Sequence, residues 1–233
     1  MNPKIIKGIA GFALLAALGM AWPVRAQNSK APYPKMAPLE QYLMDRNAEI
    51  ALARSAAPPS ISRNAEIMVL GRHGYETAAQ GKNGFVCLVE RGWTAGITDP
   101  NFWNPKIRGA MCLNLAAARS YLPITIKKTK LILAGESKAQ MADAIKASFD
   151  KKELPSLQPG AMCYMLSRHQ YLNDSPGRWH WHPHVMFFIP ETDSVARGEN
   201  LAGSPILTSK DSLDRLTVLM ILVPKWSDGT PYS

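Results

Sequence analysis

The chain has 233 residues, 46% of them hydrophobic, a formal net charge of +9 and three cysteines. That length holds one domain with a full core. The basic residues are scattered, with Lys127-Lys128-Lys130 and Lys151-Lys152 as the densest groups, which argues against a nucleic-acid-binding surface.

Residues 1–26 carry Lys4 and Lys7, an apolar run from Ile9 to Trp22 and the small-x-small sequence Val24-Arg25-Ala26. This is the pattern of a cleaved secretory signal, so the mature protein is expected to be exported, periplasmic or extracellular. The apolar run is shorter than the roughly 20 residues needed to cross a bilayer, and no later segment reads as a transmembrane span. Residues 27–37 read as a flexible leader and 38–233 as a single globular domain.

Leu39, Leu43 and Ile50 share a face at helical spacing, so a helix to about Ala56 is expected, ended by Ala57-Pro58-Pro59. Glu66 to Gly71 and Phe85 to Glu90 are short apolar runs that read as the two strands of a hairpin. Trp93, Phe102 and Trp103 anchor an ordered irregular loop before Cys112. Asn114 is a candidate cap for a short helix ending before Pro123. Ile124 to Ala134 reads as a strand with a basic middle. Ser137 and Gln140 form a capping box for a helix whose apolar stripe is Met141, Ala144, Ile145 and Phe149. Thr192 to Asp211 reads as a loop, and Leu216 to Pro224 as a central strand. Hairpin-linked strands with about three helices point to an α+β domain on a mostly antiparallel sheet. In an exported chain, Cys87, Cys112 and Cys163 allow at most one internal disulfide, and the spacing does not choose the pair.

Four of the five histidines lie between Gly160 and Pro190. Two extended arms, Gly160 to Tyr171 and Arg178 to Ile189, flank the turn-forming residues Asn173 to Gly177. A turn centred between Asp174 and Ser175 makes facing residue numbers sum to 349. His169 then faces His180, Ser167 faces His182, Met165 faces His184 and Cys163 faces Met186. Facing β-carbons lie about 4.5 to 5.5 Å apart, so His169, His180 and His182 are candidate ligands of one transition metal. His184 sits roughly 13 Å from His180 along an ideal strand and joins only if Pro183 bends the chain. Added thioether from Met165 favours copper, whereas a carboxylate such as Glu191 favours zinc or iron. The His-x-His pair resembles the cupin pattern, with Glu191 and Gly198 keeping its final spacing. The alternative is a packed or solvated sheet face without a ligand.

Two other stretches could carry chemistry. Arg72-His73-Gly74, directly after an apolar run, resembles the Arg-His-Gly signature of the histidine phosphatase superfamily. That resemblance implies His73 as the phosphoryl-accepting nucleophile and Arg72 as a phosphate-holding cation. Gly135-Glu136-Ser137 loosely resembles a nucleophile elbow, although capping accounts for Ser137 without catalysis. The expected function is therefore an exported protein binding a transition metal (copper or zinc) or a small ligand through its His-rich hairpin. A phosphatase-like hydrolase using His73 and Arg72, or a non-catalytic structural or interaction protein, are the alternatives.

Overall fold

A computed structural model describes residues 32–174, 182–191 and 198–232, all within a compact unit that begins at Ala31. The signal stretch 1–26 lies outside the described residues. The first helix, α1 (Arg46–Arg54), starts where Asp45 accepts a hydrogen bond from the Ala48 N–H. A short α2 (Pro59–Ser62) follows, with proline in its first turn where no backbone donor is needed. Strands β1 (Glu66–Gly71), β2 (Gly74–Ala79), β3 (Val86–Glu90) and β4 (Gly109–Leu113) come next. Helices α3 (Leu115–Ser120), α4 (Leu122–Leu133) and α5 (Lys138–Asp150) precede β5 (Met162–Met165), β6 (His184–Pro190), β7 (Ile206–Asp211) and β8 (Leu216–Leu222).

The eight strands form one sheet in the order β2-β1-β3-β4-β5-β6-β8-β7. Every pairing is antiparallel except β1 with β3. The expected α+β class, with a mostly antiparallel sheet, is the class observed.

Several expectations need correction. Glu66 to Gly71 and Phe85 to Glu90 do pair, but in parallel. Arg72 and His73 form a two-residue turn that sends the chain straight back as edge strand β2, so the next strand arrives on the other side of β1 in the original direction. The connection passes so close over the start of β1 that a β-carbon on Gly81 would lie 2.1 Å from the Glu66 nitrogen. Ile124 to Ala134 is helix, not strand. Its buried residues Ile124, Lys128 and Ile132 recur every four residues, with Thr125 and Thr129 beside them, which is helical spacing that outweighs the β-branched composition. The stretch read as a loop to Asp211 ends in edge strand β7, which pairs along the whole of β8 up to Ile221.

Alternation along the central strands divides the core. Cys87, Val89, Ala110 and Cys112 face α1, packing on Leu52 and Ala53. Leu88, Met111, Cys163, Met165, Met186 and Phe188 face the other way, toward Tyr121 and Leu122. A third cluster gathers Trp93, Phe102 and Trp103 from the loop before β4 against Ile124 and Ile132 of α4 and Met141 and Ile145 of α5. Tyr33, Met36 and Ala37, from the stretch read as a leader, also rest on it. Cys87 and Cys112, directly opposed on β3 and β4, form a disulfide, and Cys163 is a buried free thiol.

Candidate functional site

On the face opposite α1, the sheet does not fill all the space beneath Tyr121 and the loop that follows β3. A cavity of about 290 Å³ remains. Its apolar wall comes from alternate residues of adjacent strands, Met165 of β5, Met186 and Phe188 of β6, and Leu216, Val218 and Met220 of β8. Tyr121, at the junction of α3 and α4, stacks on Phe188 with ring centroids 4.0 Å apart and planes 9° from parallel. The thioethers make this wall adaptable in shape.

The polar wall is built from three separate parts of the chain. Glu90 is the last residue of β3 and has the same alternation as Val86 and Leu88, so its carboxyl is carried to the inner face. Its Oε1 accepts hydrogen bonds from the Tyr121 hydroxyl at 3.2 Å and the Thr125 hydroxyl at 3.5 Å. Burial dominates its titration and pushes the carboxyl up to about 7, against the opposing pull of Thr94, Tyr121 and Lys128.

Asp214, from the β7–β8 turn, is also buried, and its Oδ2 accepts from the Lys128 ammonium at 2.6 Å. Lys128 is 1% exposed, with Asp211 Oδ2 a further 3.9 Å away. Burial outweighs that ion pair and raises the Asp214 carboxyl to about 6. The other Asp214 oxygen, Oδ1, has no hydrogen-bond partner although it is buried. Among the described residues, the Gln170 amide and the Thr217 hydroxyl share that condition, but only Asp214 lines this cavity. An unsatisfied buried acceptor costs about 1 to 3 kcal/mol. Arg91 also borders the cavity, but its guanidinium is committed elsewhere, donating to Glu49 Oε1 at 2.9 Å and to the Tyr42 and Val89 carbonyls.

The site residues expected from sequence lie elsewhere. The hairpin register holds over the four described pairs, Met162 with Phe187, Cys163 with Met186, Tyr164 with Val185 and Met165 with His184. The arm leading from Gly160 is shorter than expected. After Met165 the Leu166 N–H donates to Ala56 O and its carbonyl accepts from the Ser227 N–H, which draws the chain off the ladder. His169 stands exposed in the following turn, beside Ala48 and Leu52 of α1. His182 lies against Tyr232, ring centroids 3.9 Å apart. His184 is buried, its Nδ1 is 2.7 Å from the His182 carbonyl, and burial lowers its imidazole from the ordinary value. Glu191 accepts from the Ser212 hydroxyl at 2.6 Å. His180 lies outside the described residues. Among the described residues, no three His, Cys, Asp or Glu groups are placed to hold one metal ion.

Asp174, at the near end of the hairpin turn, accepts from Tyr171, Tyr33, Asn104 and Lys106. Those partners, the two tyrosine hydroxyls foremost, hold its carboxyl at about 2. His73 and Arg72 form the exposed β1–β2 turn, where Arg72 pairs with Glu40 at 3.0 Å. Ser137 accepts from the Gln140 N–H and caps α5, as its sequence context implies.

Glu90, Asp214 and Lys128 were not singled out from the sequence. The one local signal was a carboxylate closing the apolar run Phe85 to Glu90, in register with that run's inward positions. No protein-family model, curated protein or solved structure matches this chain.

Proposed function

We propose that this protein is exported and binds a small molecule in the cavity between the sheet and the loop that follows β3. Its ligand has an apolar body, against the methionines and Phe188, and a hydrogen-bond-donating head at Glu90 and Asp214. The single observation that carries this reading is a cavity with a largely apolar wall into which two buried carboxyl residues, Glu90 and Asp214, are brought from distant parts of the chain. Binding sites are typically concave and mostly apolar, with a few convergent polar groups and shifted titrations. The disulfide between Cys87 and Cys112 supports export, since such bonds persist in oxidising compartments. Among the described residues, no helix is long and apolar enough to cross a membrane.

The test uses protein labelled at its methionine methyl groups. Small aromatic fragments should shift the Met165, Met186 and Met220 signals, and Val218→Trp, which places a ring in the cavity, should abolish those shifts. Fragments that move none of the three signals would rule the cavity out.

The hairpin metal site is a separate proposal; with His169 drawn off the ladder, its support is the His-x-His spacing of His180 and His182. Metal analysis of purified protein decides it. Stoichiometric copper or zinc lost on His180→Ala or His182→Ala would establish the site, and metal-free protein after copper and zinc loading would end that reading.

A further inference from the structure

We propose that the cavity selects a small organic cation, an amine on a compact apolar body, with its charged head against Glu90 and Asp214. This rests on the reading of the cavity as a ligand site and adds the charge of the ligand to it.

The wall of the cavity carries more carboxyls than cations. Glu90, Asp99, Asp211 and Asp214 all line the cavity. The single ammonium buried with them, Lys128, is held by Asp214 at 2.6 Å and has Asp211 at 3.9 Å. Arg91 adds nothing to that balance, because its guanidinium is paired with Glu49. Lys210, also at the wall, is exposed and so is screened by solvent. The two buried carboxyls, Glu90 and Asp214, therefore have one buried cation between them, and Asp99 and Asp211 add to the acidic side of the wall. An ammonium head supplies the missing charge, and each of its three N–H groups can donate to the carboxyls of the wall.

The groups around Glu90 set how binding depends on pH. Tyr121 from the α3–α4 junction, Lys128 from α4, Asp214 from the β7–β8 turn, Cys163 from β5 and Tyr75 from β2 are its titratable neighbours. Lys128 favours the carboxylate and Asp214 opposes it. Burial favours the neutral acid more strongly than either. A cation seated beside Glu90 reverses that preference, so binding near neutral pH releases a proton from the Glu90 carboxyl to the buffer. Affinity should fall as pH drops below about 7, where the carboxyl is protonated before the ligand arrives.

Three probes of matched shape test the proposal on the full mature chain, namely benzylamine, benzyl alcohol and benzoate. Titration at pH 7.5, followed by the Met165, Met186 and Met220 methyl signals, should give benzylamine at least tenfold tighter than benzyl alcohol, with benzoate the weakest. Glu90→Gln, which keeps the shape and the Tyr121 contact, should weaken benzylamine at least tenfold and leave benzyl alcohol within about twofold. Calorimetry at pH 7 in two buffers of different ionisation heat should show net proton release, absent in Glu90→Gln. Benzyl alcohol or benzoate binding as tightly as benzylamine would overturn the cation proposal while leaving the cavity reading intact. Failure of all three to move the methionine methyls would overturn both.

Discussion

Burial of Glu90 and Asp214 raises both carboxyls, and both shifts act on stability in the same direction. A carboxyl whose folded value lies above its unfolded value holds more protons in the native state, so its contribution is full at low pH and fades as pH rises. For Asp214 the fading runs from the ordinary aspartate range to about 6, and for Glu90 from the ordinary glutamate range to about 7. The size for Glu90 is on the order of 3 kcal/mol between pH 4 and pH 8. Glu90→Gln should therefore be more stable than the parent at pH 8 and lose most of the slope across that window. Urea denaturation of parent and variant at pH 4.5, 6 and 8 measures it, and a stability difference between the two that does not change with pH contradicts the assignment. Lys128→Met leaves Asp214 buried without its cation and should cost about 3 kcal/mol. Lys128→Met combined with Asp214→Leu should regain more than half of it in the same denaturation series.

These residues escaped sequence reading for a physical reason. Asp214 and Lys128 are 86 positions apart, and nothing local to either marks it as a partner of the other. The histidines drew attention because they cluster in sequence. In the fold, however, His169 leaves the ladder with Leu166 and His182 packs on Tyr232, so closeness along the chain did not become convergence among the described residues.

Local signals served the elements better. The caps at Asn114 and Ser137 were readable because a side chain three residues from its backbone donor is a local geometry. The register of β5 and β6 was readable because the alternation of inward and outward residues along the two arms allows few alignments. The parallel pairing of β1 and β3 was not, since it depends on β2, whose Gly-Tyr-Glu-Thr-Ala-Ala sequence lacks the apolar run of a core strand. Helix α4 was missed because its Ile and Thr residues fit a strand by composition, and only their spacing of four shows the helix. The crossover between β2 and β3 makes its own prediction. Gly81→Ala must push the chain away from the Glu66 nitrogen and should cost on the order of 2 kcal/mol in thermal or urea unfolding. A neutral substitution would mean that this crossing is looser than 2.1 Å implies.

At the scale of the whole molecule, the sheet works as a wall with different coverings. Helix α1 seals one face over the Cys87–Cys112 disulfide, while the loop that follows β3 stands off the other far enough to leave the cavity. The disulfide closes a sequence separation of 25 residues, so Cys87→Ser with Cys112→Ser should lower stability by about 3 kcal/mol in urea. Cys163 lies inside the core, where burial raises its thiol well above the usual value. It should resist thiol reagents until the protein unfolds, and rapid labelling under native conditions would mean that the inner face is open to solvent.

The claim on which the rest depends is that Glu90 is a buried carboxyl in the wall of a ligand cavity. Carbon-13 NMR of the glutamate side-chain carboxyls, with Glu90 assigned by Glu90→Gln, reads its titration directly. A midpoint near pH 7 that falls when benzylamine is added is the result expected. A midpoint in the ordinary glutamate range, unmoved by benzylamine, would contradict it.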